Sequence, residues 1–418
     1  MEQLGERIKR LRKERKMTLA DVAGDRLTKG MLSLIENGKA NPSMESLQYI
    51  ASRLDINSSE LMQSEDKNLI RDLLLNAESL LAEYKETFSK ERREEIKQEY
   101  LDRIYPFFEN RNVAGSSYEE VRLYELYLIG KYYFKDQFEL KSIRKVVEMY
   151  ENLNAFSKVL SIYSFMAINE FAKLNYNEAL SFLLEGEQKL NQYEYLIDPL
   201  EKLDFYYNLT VVYAAVNDEA KTEHYLNVAM ELSKKKKVFY RLNYFYRFLY
   251  YVNLQSFDVE KMKFYIRKMK DYVRLIEDPL EQLMLDVIML SFYNVVEKDY
   301  MKVINYTFNG NLPKDIELEN NAFINSEKSY AYYHLNDFKQ ALAMVKDLKI
   351  PYYNTHPVDL SFLYQGFAIR ALCQYALGNI EEAKRDILYA YDGVKTFSDS
   401  IQKKFITDSY KKIMKEKH

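Results

Sequence analysis

The stretch "TKGMLSLIENGKANPSMESLQYIASRL", residues 28–54, reads as two short helices joined by a turn. Thr28 is placed to cap the first, which runs to Asn37. Gly38 follows where a helix end calls for a left-handed residue, and Ser43 caps the second. Many small helical domains contain such a pair, so its meaning depends on what lies on either side.

Upstream, Leu4, Ile8 and Leu11 recur at helical spacing, and Thr18 caps a helix whose inner face is Leu19, Val22 and Ala23. Within the opening stretch Met31, Leu32 and Ile35 face inward from one helix, and Leu47, Ile50, Ala51 and Leu54 from the next. "SSELM" then starts a fifth helix at Ser58 or Ser59. The expected result is five short helices around one small core. Residues 1–62 carry 11 Lys/Arg against 9 Asp/Glu in a chain whose net charge is −3. The excess sits in "MEQLGERIKRLRKERK", a basic run that suits a solvated helix face and equally the phosphate backbone of a nucleic acid.

Together, "IKRLRKERKMTLADVA" and "LTKGMLSLIENGKANPSMESLQYIASRLDINSSELM" resemble the helix-turn-helix domain of the Xre/Cro/phage-repressor type over about residues 4–62. The resemblance implies that Arg12 and Glu36 pair to tie the first helix to the end of the recognition helix. It also implies that Thr18, Asn37 and Lys39 lie at positions that touch phosphates of double-stranded DNA. Base edges would be met from Lys29, Gly30, Ser33 and Leu34. Family members with glutamines there have donors that Gly30 and Leu34 lack, so a dimer is expected to be needed for binding.

At 418 residues the chain has room for two or three domains. Only 11 Gly and 7 Pro, with 38 Tyr and 23 Phe and no Trp, point to an all-α protein with wide aromatic contacts. The single cysteine, Cys373, has no partner for an internal disulfide. No apolar leader and no membrane-spanning run are evident, so a cytoplasmic protein is expected.

From about Asn68 the organisation changes. "LNYNEAL", "VNDEAKT", "FDVEKM", "EKDYMKV", "LNDFKQAL" and "LGNIEEA" each interrupt two amphipathic stretches, and Ala179, Thr222, Met262, Val303, Ala341 and Ala383 recur at matching places 38 to 43 residues apart. Such a period means helix pairs that bury their faces by stacking into a superhelical solenoid. Pro199, Pro279, Pro313 and Pro351 fall between repeats. Two less regular pairs, about 68–110 and 118–153, start the array, and "ENRNVAGSS" around Gly115 is a loop. The turns resemble a lengthened tetratricopeptide repeat, which implies a right-handed solenoid. The expected domains are 1–64 for the head and 65–418 for the array, the latter binding a ligand and assembling copies of the chain.

Arrays of this kind present a concave groove lined by the first helix of each pair. Candidate groove residues are Asn208, Asn243, Asn294 and Asn325, with Arg122 near the open end. An asparagine donates to and accepts from a peptide backbone at once, so a ladder of them suits an extended peptide; any one of them also fits helix packing or solvation. The head and array together resemble the RRNPP peptide-pheromone receptors, and within them the NprR type. That resemblance implies a quorum-sensing transcriptional regulator that binds a short imported signalling peptide and changes its homodimer or tetramer state or its DNA affinity. It also implies an alternative: a docking protein that, without peptide, inhibits a response regulator of the sporulation phosphorelay.

Enzyme readings find little support. His224, His334, His356 and His418 lie apart with no metal-ligand spacing, and no phosphate-cradling glycine loop or nucleophile elbow occurs. No catalytic residue, metal or cofactor is expected. Cys373 sits on an apolar helix as a structural thiol, and Lys234–Lys237 suit a helix C-terminus. Gln98 is not singled out by its spacing.

Overall fold

A computed structural model describes residues 4–58, 65–87, 89–109, 113, 115–308, 321–351 and 354–415. Every regular element among the described residues is a helix, as expected of an all-α chain. The chain divides into two compact units, residues 1–149 and 150–418. The expected fifth helix at Ser58 or Ser59 and the proposed boundary at 64/65 fall on or beside residues 59–64, outside the described residues.

In the first unit, α1 (Leu4–Glu14), α2 (Leu19–Ala23), α3 (Lys29–Glu36) and α4 (Met44–Arg53) enclose Ile8, Val22, Ala23, Leu32, Ile35, Leu47, Ile50, Ala51 and Leu54. Helices α2, α3 and α4 are each fixed at their start, because Thr18, Thr28 and Ser43 accept from the backbone N–H three residues on. Gly38, at φ +68°, follows the end of α3. Gly5 allows α1 to lie on the end of α3, since a side chain there would collide with the Ile35 carbonyl. One expected inner position lies outside the core. Met31 is 46% exposed, because Leu32, Ile35 and Glu36 complete the buried stripe of an eight-residue helix and Met31 lies off it beside Leu34.

The same unit continues with α5 (Glu65–Glu86), α6 (Lys90–Phe108), α7 (Tyr118–Lys135) and α8 (Leu140–Asn152), the last running across the division between units. Tyr100 is buried and donates to the Leu126 carbonyl at 2.7 Å.

The second unit stacks helix pairs: α9 (Phe156–Ala172) with α10 (Tyr176–Tyr193), α11 (Pro199–Ala215) with α12 (Glu219–Lys236), and α13 (Leu242–Gln255) with α14 (Val259–Ile276). They are followed by α15 (Pro279–Phe292) with the short α16 (Tyr300–Ile304), α17 (Ala322–His334) with α18 (Phe338–Val345), and α19 (Pro357–Ala376) with α20 (Ile380–Val394). The terminal α21 (Ile401–Lys415) closes the series. One device builds the six turns. A residue at positive φ (Leu174, Asn217, Phe257, Lys298, Asn336, Gly378) ends the first helix, and Asn or Asp at the next position opens the second. Asp218, Asp258, Asp299 and Asp337 accept from the backbone N–H three residues later. Five of the six matched residues, Ala179, Met262, Val303, Ala341 and Ala383, are fully buried, and Thr222 nearly so. Pro199 and Pro279 stand at the first turn of α11 and α15, where their missing N–H costs nothing. Pro357 does the same for α19, whereas Pro351 lies in the preceding loop and Pro313 outside the described residues.

Candidate functional site

The exposed side of the head is built around α3. Lys29, Gly30 and Leu34 are exposed and Ser33 half-buried, so the side opposite Leu32 and Ile35 is open to a ligand. The helix is held from behind. Arg12 Nε and Nη2 donate to the two Glu36 oxygens at 2.6 and 2.7 Å, a bidentate pair with side chains only 12% and 3% exposed. Arg12 Nη1 also donates to the Met17 carbonyl at 3.1 Å, joining α1, the turn before α2 and α3. The Glu36 bond holds the Arg12 guanidinium above its ordinary pKa, against the pull of burial.

Thr18 is exposed, but Asp21 engages both its amide and its hydroxyl at 2.7 Å. That capping box holds the Asp21 carboxyl below its usual range. Asn37 donates from its side chain to the Ser33 carbonyl at 2.7 Å and accepts from Lys9 at 3.4 Å. Lys39 is exposed.

In the second unit, first helices from distant repeats meet. Tyr176 donates to the Thr355 carbonyl at 2.7 Å, and His356 Nε2 lies 3.2 Å from the Val211 carbonyl. Ser398 donates to Asn217, and the Ile401 N–H donates to Gln255 at 3.1 Å. The last pair therefore touches the first three, and the array closes on itself. His356 is wedged at this seam, stacked on Phe171 and edge-on to Phe248, while its Nδ1 accepts from the Val358 N–H at 3.1 Å. Tyr207, Tyr244 and Tyr251 also face this interior. The Arg247 guanidinium lies 4.4 Å over Tyr244, and Tyr251 meets Phe362 edge-on at 5.6 Å. Burial lowers the His356 pKa and raises that of the Asp359 carboxyl.

Residues 5–67 match the family described as "Helix-turn-helix domain". The N-terminal part of the chain is a helix-turn-helix domain. Its sequence is 41% identical over 61 residues to the HTH-type transcriptional regulator DdrOP3 of Deinococcus deserti, covering 14% of this chain and 47% of that one. The chain thus spans about half the length of that relative. Among solved structures, Bacillus thuringiensis PlcR in complex with the peptide PapR7 and DNA is 18% identical. It covers 73% of this chain and 100% of its own at a TM-score of 0.33. The apo form of ComR from S. thermophilus is 15% identical, covering 55% of this chain and 93% of its own at 0.25.

On the helix-turn-helix domain, Lys29, Gly30, Ser33 and Leu34 share the outer side of one helix, and Asn37 and Lys39 sit at its end. The expected groove residues are not equivalent. Asn243 and Asn294 are each 1% exposed and tie neighbouring repeats together. Asn243 donates to Glu281, and Asn294 donates to the Glu327 carbonyl at 2.9 Å and carboxylate at 2.6 Å. Asn208 and Asn325 are half-buried on α11 and α17. Arg122 belongs to the other unit, where it pairs with Glu78 at 3.0 Å and Glu125 at 2.6 Å.

Arg247, Glu327 and Asp359 escape a reading of the sequence, and His356 enters it only among histidines without metal-ligand spacing. Glu327 had a signal, since "FINSEKSY" places a carboxylate on the helix that carries Asn325. Cys373 is buried and its thiol is pushed up to about 12 by desolvation, which suits a structural thiol. Gln98 donates to Asp102 on an exposed side of α6. Among the described residues no group of His, Cys, Asp or Glu is placed to hold a metal, and no helix is long and apolar enough to cross a membrane.

Proposed function

We propose that the protein is a peptide-responsive transcriptional regulator. Its helix-turn-helix domain binds double-stranded DNA, and its array holds a short extended peptide that changes how copies of the chain assemble. The observation that carries the reading is the open outer side of α3, with Lys29, Gly30, Ser33 and Leu34 displayed on a helix locked by the buried Arg12–Glu36 pair. A rigid helix with an exposed mixed side is what a major groove accepts. The DNA-binding assignment is also supported by the relative named as a transcriptional regulator. The peptide assignment is supported by the aromatic and polar side chains that distant repeats bring together around His356 and by the receptor resemblance of the whole sequence. Asn208 and Asn325, half-buried where Asn243 and Asn294 are fully buried, are the asparagines best placed to meet a ligand.

Selection of binding sites from random duplex DNA tests the head. Lys29→Ala should relax preference at one operator position by about 1–3 kcal/mol, while Lys39→Ala should weaken all sequences alike and reduce the salt slope by about one. Equal loss of affinity with no change of preference in both variants would remove Lys29 from the base-reading set. Failure to enrich any sequence would overturn the DNA assignment.

A further inference from the structure

Glu327 lies on α17 at the floor of a small cleft lined by Phe323, Ser326, Tyr330, Phe362, Gln365, Gly366 and Ile369. The cleft is partly open, with room for the centre of about one water-sized group, roughly 10 Å³. Gly366 makes it possible, because a side chain there would press on Ser326 Oγ and Leu348 of the facing elements. Glu327 is half-buried, and no lysine or arginine among the described residues pairs with it. Its carboxylate accepts from Asn294 at 2.6 Å. Ser326 Oγ and Asn294 Oδ1 are buried with no hydrogen-bond partner among the described residues.

We infer that this cleft is a binding site for an alkylammonium group, with Glu327 as its counter-charge. Three features point to a cation. An unpaired carboxylate in a low-dielectric site is costly until an opposite charge arrives. The walls offer Phe323, Tyr330 and Phe362, and aromatic faces attract cations and repel anions. Ser326 Oγ on the cleft wall is a spare acceptor, and an ammonium brings three donors and no acceptor. A guanidinium is too wide for a site of one-water size. Burial pushes the Glu327 carboxyl up to about 7, so the empty site holds a proton part of the time and gives it up when the ammonium enters. If the array is a peptide receptor, the group is a lysine ε-ammonium or a terminal α-ammonium of the peptide; the cleft's chemistry does not depend on that reading.

The full-length protein and Glu327→Gln are compared by thermal melting and calorimetry near neutral pH with three probes. Nα-acetyl-lysine amide presents only the ε-ammonium, alanine amide only the α-ammonium, and Nα-acetyl-norleucine amide neither. The expected result is stabilisation by one or both cationic probes over the norleucine probe, with protons released in calorimetry across buffers of different ionisation enthalpy. Glu327→Gln keeps the shape and removes the charge, and should bind the same probe at least about tenfold more weakly. Equal responses to cationic and neutral probes, or an undiminished response in Glu327→Gln, overturn the site. Probe binding without binding of any short peptide from a random-sequence library keeps the site and removes the peptide reading. Peptide binding that ignores cationic residues and the Glu327 change does the reverse.

Discussion

Glu36 is buried and Glu327 half-buried, in opposite surroundings. Glu36 faces the Arg12 fork, so Glu36→Ala leaves a guanidinium only 12% exposed without its partner and should destabilise the head by about 3–5 kcal/mol. The double change Arg12→Met with Glu36→Leu should cost less than either single truncation, since a stranded charge costs more than a missing pair. Denaturant melts of the four proteins measure this, and simple additivity would argue against a coupled pair. For Glu327 the folded-state value, raised to about 7, lies above the ordinary 4.5. Its contribution to stability is therefore complete below about pH 4.5 and lost as pH rises through about 7. Glu327→Gln should melt higher than the parent at pH 8 by the equivalent of about 1–3 kcal/mol, and the two curves should converge in acid. A gap that persists unchanged at pH 4 would show that ionisation is not its cause.

Among elements, the repeat turns were legible because each is local. Leu174–Asn175, Asn217–Asp218 and Asn336–Asp337 set a left-handed residue beside an Asn or Asp, and Ala179, Thr222 and Ala341 follow at a fixed distance. The scaffold of the head was legible for the same reason, since Thr28, Gly38 and Ser43 act within a few residues. The seam was not. Tyr176 and Thr355, or Asn217 and Ser398, are 179 and 181 residues apart, and no periodicity records which repeats meet when an array curls. Asn243 and Asn294 looked like groove residues for a related reason. Helical spacing gives the side of a helix, while the carboxylate each one holds, Glu281 or Glu327, comes from another helix.

His356 makes the seam sensitive to acid. Both ring nitrogens are engaged as in a neutral imidazole, Nε2 at the Val211 carbonyl and Nδ1 accepting from Val358. Burial depresses its pKa, so the stability it confers is full above the unfolded value of about 6.5 and lost as pH falls through the lower folded value. Arg247 is a further positive charge near Asp359, whose carboxylate favours the imidazolium but is itself driven toward neutrality by burial. Hydrogen-exchange protection at the start of α19 and the end of α11, corrected for intrinsic exchange, should fall as the pH drops below the unfolded value of about 6.5. His356→Asn, which can cap α19 without titrating, should abolish that step. The same step in both proteins would place the titrating group elsewhere.

For the whole molecule, the seam determines what a ligand has to do. Neighbouring repeats contact mainly each other, so a ligand that touches several first helices favours one curvature of the array over another. Moving a population from about 1:99 to 99:1 requires a preference of about 5.5 kcal/mol for one curvature. Under the proposed function, the seam is the element a peptide would open or close, and its movement would shift the surfaces through which copies of the chain are proposed to assemble. Asn217→Cys with Ser398→Cys replaces two touching side chains by a potential disulfide, and the only other thiol, Cys373, is buried. Sedimentation of the oxidised and reduced double variant, with and without a peptide selected from a random library on the parent protein, reads the coupling. The oxidised form should keep one mass whether or not peptide is present, and reduction should restore the response of the parent. A peptide that shifts the mass of both forms equally would detach assembly from the seam and assign the switch to a surface the array carries in either curvature.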